Sequence, residues 1–141
     1  MRRAERRDLA QVETLLKQAD LPALDNQVPV SNLVVAEEGR AVVGAIALEV
    51  FGRSGLVRSV VVAPERRRQG LGRELLRSLS SRASELGLKE FYAIADDGRA
   101  FFTALGFEPV GDEEITGPLR LSRAFRSRGA AGAPVLRLAL A

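Results

Sequence analysis

The sequence predicts a mixed α/β (α+β) fold: a mostly antiparallel sheet with a central parallel strand pair and flanking helices. Three observations carry this expectation. Residues 33–62 hold three apolar, β-rich runs separated by short turns, the pattern of an antiparallel meander. Residues 56–86 read as strand, glycine-bearing turn and amphipathic helix. A further strand at Phe91, Tyr92, Ala93 and Ile94 follows that helical crossover, so it is expected to run parallel to the strand at 56–62.

Taken in order, residues 1–4 suit a short strand. Asp8 reads as a helix N-cap, and Leu9, Val12, Leu15, Leu16 and Ala19 then form one apolar face. Residues 21–30 carry two prolines and read as a loop, either a border of the substrate site or a plain connector. Leu33, Val34, Val35 and Ala36 are a strand, residues 37–40 a turn with Gly39 at positive φ, and residues 41–51 a second strand. Residues 52–55 turn the chain into the third strand, at 56–62. Its uninterrupted Val60, Val61 and Val62 suit burial on both faces, and Pro64 ends it because proline cannot donate to a ladder.

Leu71, Leu75, Leu76, Leu79, Ala83 and Leu86 lie on one side of the next helix, which Gly87 stops. Residues 96–98 open a short helix through Ala100, Phe101, Ala104 and Leu105 that ends at Gly106, and residues 107–110 begin another strand. Residues 111–134 are rich in Gly and Arg, with a helical turn expected at 119–125, and residues 135–140 alternate as a final strand. There is no internal repeat, and one domain over 1–141 is expected.

A chain of 141 residues can bury roughly two-thirds of its unfolded surface. Its 46% hydrophobic and 28% charged content is that of a globular protein rather than a disordered one. The absence of cysteine and histidine removes disulfides, thiolate nucleophiles, imidazole acid–base chemistry and nearly every zinc or haem site. The net charge is +3, and the only lysines are Lys17 and Lys89, so the positive charge is arginine. That suits either solvated helix faces or an anionic ligand. Nucleic acid fits poorly, since aromatics are only 5% and do not interleave with the basic residues. Residues 1–7 lack the apolar core of a signal peptide and no run reaches the length of a membrane span, so a cytoplasmic location without a membrane partner is expected.

Between the strand and the long helix lie Arg66, Arg67, Arg68, Gln69, Gly70, Leu71, Gly72 and Arg73. The first helical N–H groups have no partner and face the preceding loop, which makes such a turn a phosphate site. It is not a P-loop, because no Gly-Lys-Ser/Thr follows. Nor is it a dinucleotide fingerprint, because Leu75 stands at the third glycine position and no suitably spaced acidic residue follows. A tight connector is the plain alternative. Gly70 and Gly72 allow the backbone close to an oxygen-rich ligand, while Arg67, Arg68 or Arg73 add charge-assisted bonds.

The stretch from Val60 to Gly72 (VVVAPERRRQGLG), followed by a helix and by Ala100 to Phe107 (AFFTALGF), resembles the Gcn5-related N-acetyltransferase (GNAT) superfamily over essentially the whole chain. Residues 67–72 look like its R/Q-x-x-G-x-G/A acetyl-CoA motif, and Leu105, Gly106 and Phe107 like its LGF. The resemblance implies the GNAT fold, whose parallel pair splays into a cleft, with acetyl-CoA as acyl donor and no metal. It further implies that main-chain groups near Val60 and Val62 pair with the pantetheine arm and that an N–H near Val61 polarises the thioester carbonyl. Arg67, Arg68, Gln69, Gly70, Leu71, Gly72 and Arg73 would hold the pyrophosphate.

The family's frequent tyrosine acid corresponds to Phe102 here, and its strand-end asparagine falls near Ala95. Two charges sit in strands that otherwise read as core. Glu49 is the candidate catalytic base or ammonium ligand, and Arg58 the candidate holder of a substrate anion; solvated strand ends or a mutual pair are the alternatives. Tyr92 reads as core with a satisfied hydroxyl rather than as an acid.

Leu48 to Gly52, Gly55 to Ser59, the Phe101–Phe102 and Gly106–Phe107 pairs, and Pro118, Ser122 and Phe125 further resemble the arsenic-resistance branch, itself similar to short glutamate N-acetyltransferases. Residues 128–131 are Arg-Gly-Ala-Ala where that branch often has Cys-Pro, which argues against thiol capture of arsenite. The expectation is an N-acetyltransferase for a small-molecule amine such as an amino acid or analogue. An acyl-CoA-binding sensor is the alternative, no nucleic acid is expected as partner, and a homodimer is compatible with the sequence.

Overall fold

Seven strands and five helices follow one another in the computed structural model, which describes residues 1–21, 23–24, 29–95, 99–115, 117–120, 122–126 and 133–140. The strands are β1 (Arg2–Arg3), β2 (Leu33–Glu38), β3 (Ala41–Phe51), β4 (Ser54–Val62), β5 (Glu90–Ile94), β6 (Glu108–Pro109) and β7 (Val135–Ala139). The helices are α1 (Leu9–Gln18), α2 (Leu71–Glu85), α3 (Arg99–Ala104), α4 (Gly117–Arg120) and α5 (Arg123–Arg126). The strand order is β1-β2-β3-β4-β5-β7-β6, with β4 and β5 parallel. The chain divides into two units: Met1–Glu49 with Arg58–Arg82, and Val50–Val57 with Ala83–Ala141.

The first unit carries β1, β2, most of β3, the second half of β4, and α1 with most of α2. Val12, Leu15 and Leu16 of α1 and Leu75, Leu76 and Leu79 of α2 are buried, as their i, i+3, i+4 spacing demands. β2 pairs antiparallel with β3, and the register steps between Ala36 and Glu37, where Ala36 faces Gly44 but Glu37 faces Val42. Val43 is therefore an extra residue, a bulge in β3. Gly39 has the expected positive φ of 60°. Glu37 and Glu38, expected in the turn, instead end β2: Arg2 binds Glu37 and Arg66 binds Glu38, and these partners hold them in strand register.

Asp8 precedes α1 but does not cap it. Its carboxylate accepts bonds from Arg2 Nη1 at 2.8 Å, Arg2 Nη2 at 3.0 Å and the Glu5 N–H at 2.7 Å, so it closes the preceding single turn of Arg6–Asp8 instead. The fork of Arg2, with the Glu5 N–H, holds the buried Asp8 carboxyl down at about 2.

The second unit carries the first half of β4, then β5, β7 and β6. Its parallel ladder comprises Ser54–Glu90, Gly55–Phe91 and Leu56–Tyr92, while β4 runs on to Val62. β7 pairs antiparallel with both β5 and β6. Leu56, Tyr92, Ile115, Leu119 and Val135 form one buried cluster. Gly87 has φ 72° just beyond α2. The turn before β4 is shorter than expected, with Gly52 and Arg53 leading directly into the strand at Ser54. The strand expected at 107–110 reduces to Glu108 and Pro109, because the Phe107 N–H closes back onto Phe102 O at 3.1 Å at the end of α3. The helical turn expected at 119–125 is two short helices, α4 and α5. Much of the loop at 21–30 and the start of the helix at 96–98 lie outside the described residues.

Candidate functional site

The arginine- and glycine-bearing turn lies wholly within the first unit. β4 ends at Val62, the Ala63 N–H donates to Val43 O at 2.8 Å, and Pro64–Arg66 forms a single 3-10 turn. Two left-handed residues follow, Arg68 at φ 65° and Gly70 at φ 79°, and α2 starts at Leu71. A Cβ at Gly70 would meet nothing within 4 Å, so the glycine is needed there for its backbone angle and not for want of space. Arg68 holds the same kind of angle with a side chain, at a cost of about 1 kcal/mol. The Glu74 N–H donates to Gly70 O at 3.1 Å, so the N–H groups of Leu71, Gly72 and Arg73 lie ahead of the helical ladder. Backbone donors, the positive end of a helix dipole and arginines thus meet in one turn, which is what a polyphosphate needs.

The arginines have different duties. Arg66 is committed to Glu38, with Nε and Nη2 on the carboxylate at 2.6–2.9 Å. Arg67 folds its Nε back onto Val62 O at 3.2 Å, tying the turn to the end of β4. Arg67, Arg68, Gln69, Gly70 and Arg73 are exposed, and Leu71 and Gly72 half-buried.

The valine run is not buried on both faces. Val61 is 4% exposed, but Val60 and Val62 are only half-buried, as is Arg58 on the same side of β4. The alternation leaves one face of β4 partly open beyond Leu56, and a continuous apolar run could not reveal which face that was.

Glu49 and Arg58 come together: Arg58 Nη1 donates to Glu49 Oε1 at 2.7 Å, with side-chain exposures of 19% and 8%. The mutual pair, one of the alternatives read from the sequence, is what forms. With so little water around the Glu49 carboxylate, its charge depends on this pairing.

Within the second unit, Phe102 and Ala95, which the resemblance set at the family's tyrosine and asparagine positions, are packed. Phe102 meets Phe101 edge-on at 5.2 Å and Phe107 at 5.1 Å between ring centres. Ala95 is buried and its N–H donates to Pro134 O at 2.9 Å. Tyr92 is core, as expected, 1% exposed with its hydroxyl donating to Glu114 O at 3.3 Å. Two features around the turn escaped the sequence reading. The Glu38–Arg66 link spans 28 positions and leaves no local signal. Gly44, a lone glycine inside an apolar strand, did carry one, since such a glycine marks a bulge or a close approach.

The model of the Acetyltransferase (GNAT) domain family matches residues 29–109, more than half of the chain. The chain belongs to the GNAT acetyltransferase family. Over 84 residues it is 36% identical to "Probable N-acetyltransferase 14" of Danio rerio, covering 55% of this chain and 30% of that protein. Among solved GNAT-fold structures, N-acetylglutamate synthase from Neisseria gonorrhoeae, complexed with coenzyme A and N-acetyl-glutamate, superposes with a TM-score of 0.84 at 22% identity. That match covers 99% of this chain and 34% of the synthase. Rv2747 from Mycobacterium tuberculosis, in complex with CoA, gives 0.75 at 22% identity, over 99% of this chain and 98% of that one. This GNAT chain thus spans about a third of the length of the first two proteins. Among its described residues no group of His, Cys, Asp and Glu could hold a metal ion, and no helix is long and apolar enough to cross a membrane.

Proposed function

We propose that this GNAT chain, as a single domain over residues 1–141, is an acetyl-CoA-dependent N-acetyltransferase acting on the amine of a small molecule, with an amino acid or analogue as the acceptor class. The observation that carries the reading is the turn in which Arg68 and Gly70 are left-handed and α2 opens at Leu71. Its N–H groups from Arg68 to Arg73, with the guanidinium groups of Arg67, Arg68 and Arg73, would hold the CoA pyrophosphate. The main chain of β4 at Val60 and Val62, beyond the last parallel pair at Leu56, would pair with the pantetheine arm as an added strand, and an N–H near Val61 would steady the thioester oxygen.

In the transfer, the amine nitrogen attacks the thioester carbonyl carbon. A C–N bond forms, the C–S bond breaks, and the CoA sulfur leaves as thiolate. The nitrogen gives up a proton on the way, and Glu49, the carboxylate paired with Arg58, is the candidate to take it. Arg58, engaged with Glu49 when no acceptor is bound, would turn to an acceptor carboxylate or similar anion. An amino acid carries both charges this pair can meet, which favours it over a simple amine. The glutamate-type and arsenic-resistance-type acceptors are the two arms of the test.

Titrating coenzyme A calorimetrically and then assaying CoA release over a panel of amines tests the reading. Binding with turnover on an amino acid or analogue supports it; no binding of CoA overturns it. Binding without turnover on any amine favours the second reading, an acyl-CoA sensor, for which the packed Phe102 at the usual acid position speaks. For the acceptor residues, Glu49→Gln should lower kcat and Arg58→Lys should raise KM for the acceptor, both at unchanged CoA affinity. An unchanged kcat/KM in both would remove them from the site.

A further inference from the structure

The β2–β3 hairpin grips the pyrophosphate turn at both ends. At the start of the turn, Arg66 is forked onto Glu38, the last residue of β2. At its end, a Cβ placed on Gly44 would stand 3.1 Å from Leu75 Cδ1, 3.3 Å from Leu71 Cδ2 and 3.3 Å from Val61 O. Gly44 adjoins the bulged Val43, whose carbonyl accepts the N–H of Ala63 just beyond β4. The hairpin therefore touches the turn through Glu38, Val43 and Gly44, and Arg68 and Gly70 lie between its two outer holds.

The three contacts at Gly44 are not equally able to yield. Leu75 is completely buried and Val61 O is backbone. Leu71 is half-buried and is the first residue of α2. Any side chain at Gly44 thus pushes most readily on the helix end whose free N–H groups face the turn. The Glu38–Arg66 pair, with side chains 50% and 38% exposed, adds little to stability but fixes where the turn begins.

We propose that Gly44 and Glu38 are positioning residues for the pyrophosphate turn, setting the affinity for CoA without touching it. The proposal rests on the reading that this turn holds the CoA pyrophosphate. Charge alone predicts the opposite sign at Glu38, because removing a negative group beside a polyanion site tightens binding. Weaker binding by Glu38→Gln therefore reports position.

The test is the calorimetric Kd for coenzyme A in the wild type, Gly44→Ala, Glu38→Gln and the double variant Gly44→Ala/Leu75→Val, with urea unfolding of each alongside. The Gly44→Ala protein should bind about tenfold more weakly, and Glu38→Gln about threefold more weakly with little change in urea midpoint. Leu75→Val, which shortens the side chain lying nearest but leaves the Leu71 contact in place, should recover part of the Gly44→Ala loss. Wild-type affinity in both single variants, or tighter binding by Glu38→Gln, overturns the proposal while the acetyl-CoA reading stands. If Gly44→Ala fails to fold, Glu38→Gln carries the test. A wild type that binds no CoA instead overturns the reading beneath it.

Discussion

Every aromatic residue of the chain, six phenylalanines and Tyr92, belongs to the second unit, and the first unit has none. The second unit is fixed by rings: Phe91, Tyr92 and Phe107 are among its most buried side chains. The first unit packs aliphatic and small residues, with Gly44, Ala45 and Ala47 in β3, and spends charge in its interior through Asp8 and Glu49. Small side chains let backbones approach, and α2 seats close to β3 for that reason. A turn that binds through main-chain N–H groups needs such a seat more than it needs bulk. The GNAT motifs divide the same way. The turn at 67–72 is exposed backbone suited to a ligand. The Leu105-Gly106-Phe107 motif is a helix stop, in which Gly106 at φ 100° lets the Phe107 N–H reach Phe102 O and sends the ring inward.

That contrast predicts which property each substitution moves. The largest effect is on stability: Phe107→Ala should cost about 3–5 kcal/mol in urea unfolding, while the molecules still folded keep their CoA affinity. Lost affinity at full foldedness would mean the ring cluster also serves the ligand. Gly72→Glu should do the reverse. A carboxylate in the first turn of α2 suits the helix dipole but competes for the phosphate donors, so CoA affinity should drop about a hundredfold at unchanged stability.

The third effect follows from the charge buried in the first unit. The Arg2 fork holds Asp8 at about 2, below its ordinary 3.8, so the pair stabilises fully above about pH 4 and is lost as pH falls through 2. Between pH 5 and pH 2 the wild type should lose about 2 kcal/mol more than Asp8→Asn, measured by urea unfolding at each pH. Equal losses would show that Asp8 titrates alike in the folded and unfolded chain. The smallest effect is at Arg68: replacing it with glycine relieves the left-handed strain, adding up to about 1 kcal/mol of stability while weakening CoA binding a few-fold. Tighter binding would deny Arg68 its part in the turn.

Elements whose signal is periodic were legible in the sequence. The apolar spacing of α2, the meander of β2, β3 and β4, and the parallel return of β5 are all where residues 33–94 put them. Partners distant in sequence were not. Nothing local holds Glu37 and Glu38 in strand instead of turn, because their partners Arg2 and Arg66 lie 35 and 28 positions away. The site divides likewise: the glycines and arginines of the turn announce themselves in sequence, whereas the placement of Arg66 on Glu38 and Arg67 on Val62 is set by folding. Glu49 and Arg58 stood out as charges in apolar strands, but their pairing with each other is set by folding.

The burial of Tyr92 has an optical consequence. The chain has no tryptophan, so its ultraviolet emission comes from one tyrosine, seated in the core cluster of the second unit. The first unit is spectroscopically dark. Tyrosine fluorescence during denaturation would follow the ring-packed unit alone, whereas far-ultraviolet circular dichroism would follow α1 and α2 as well. Coincident curves from the two probes would mean that one cooperative transition spans both units, and separated curves that each unfolds on its own. Adenine absorbs where the first unit is dark, so a nucleotide seated at the turn would bring its own reporter to that half of the molecule.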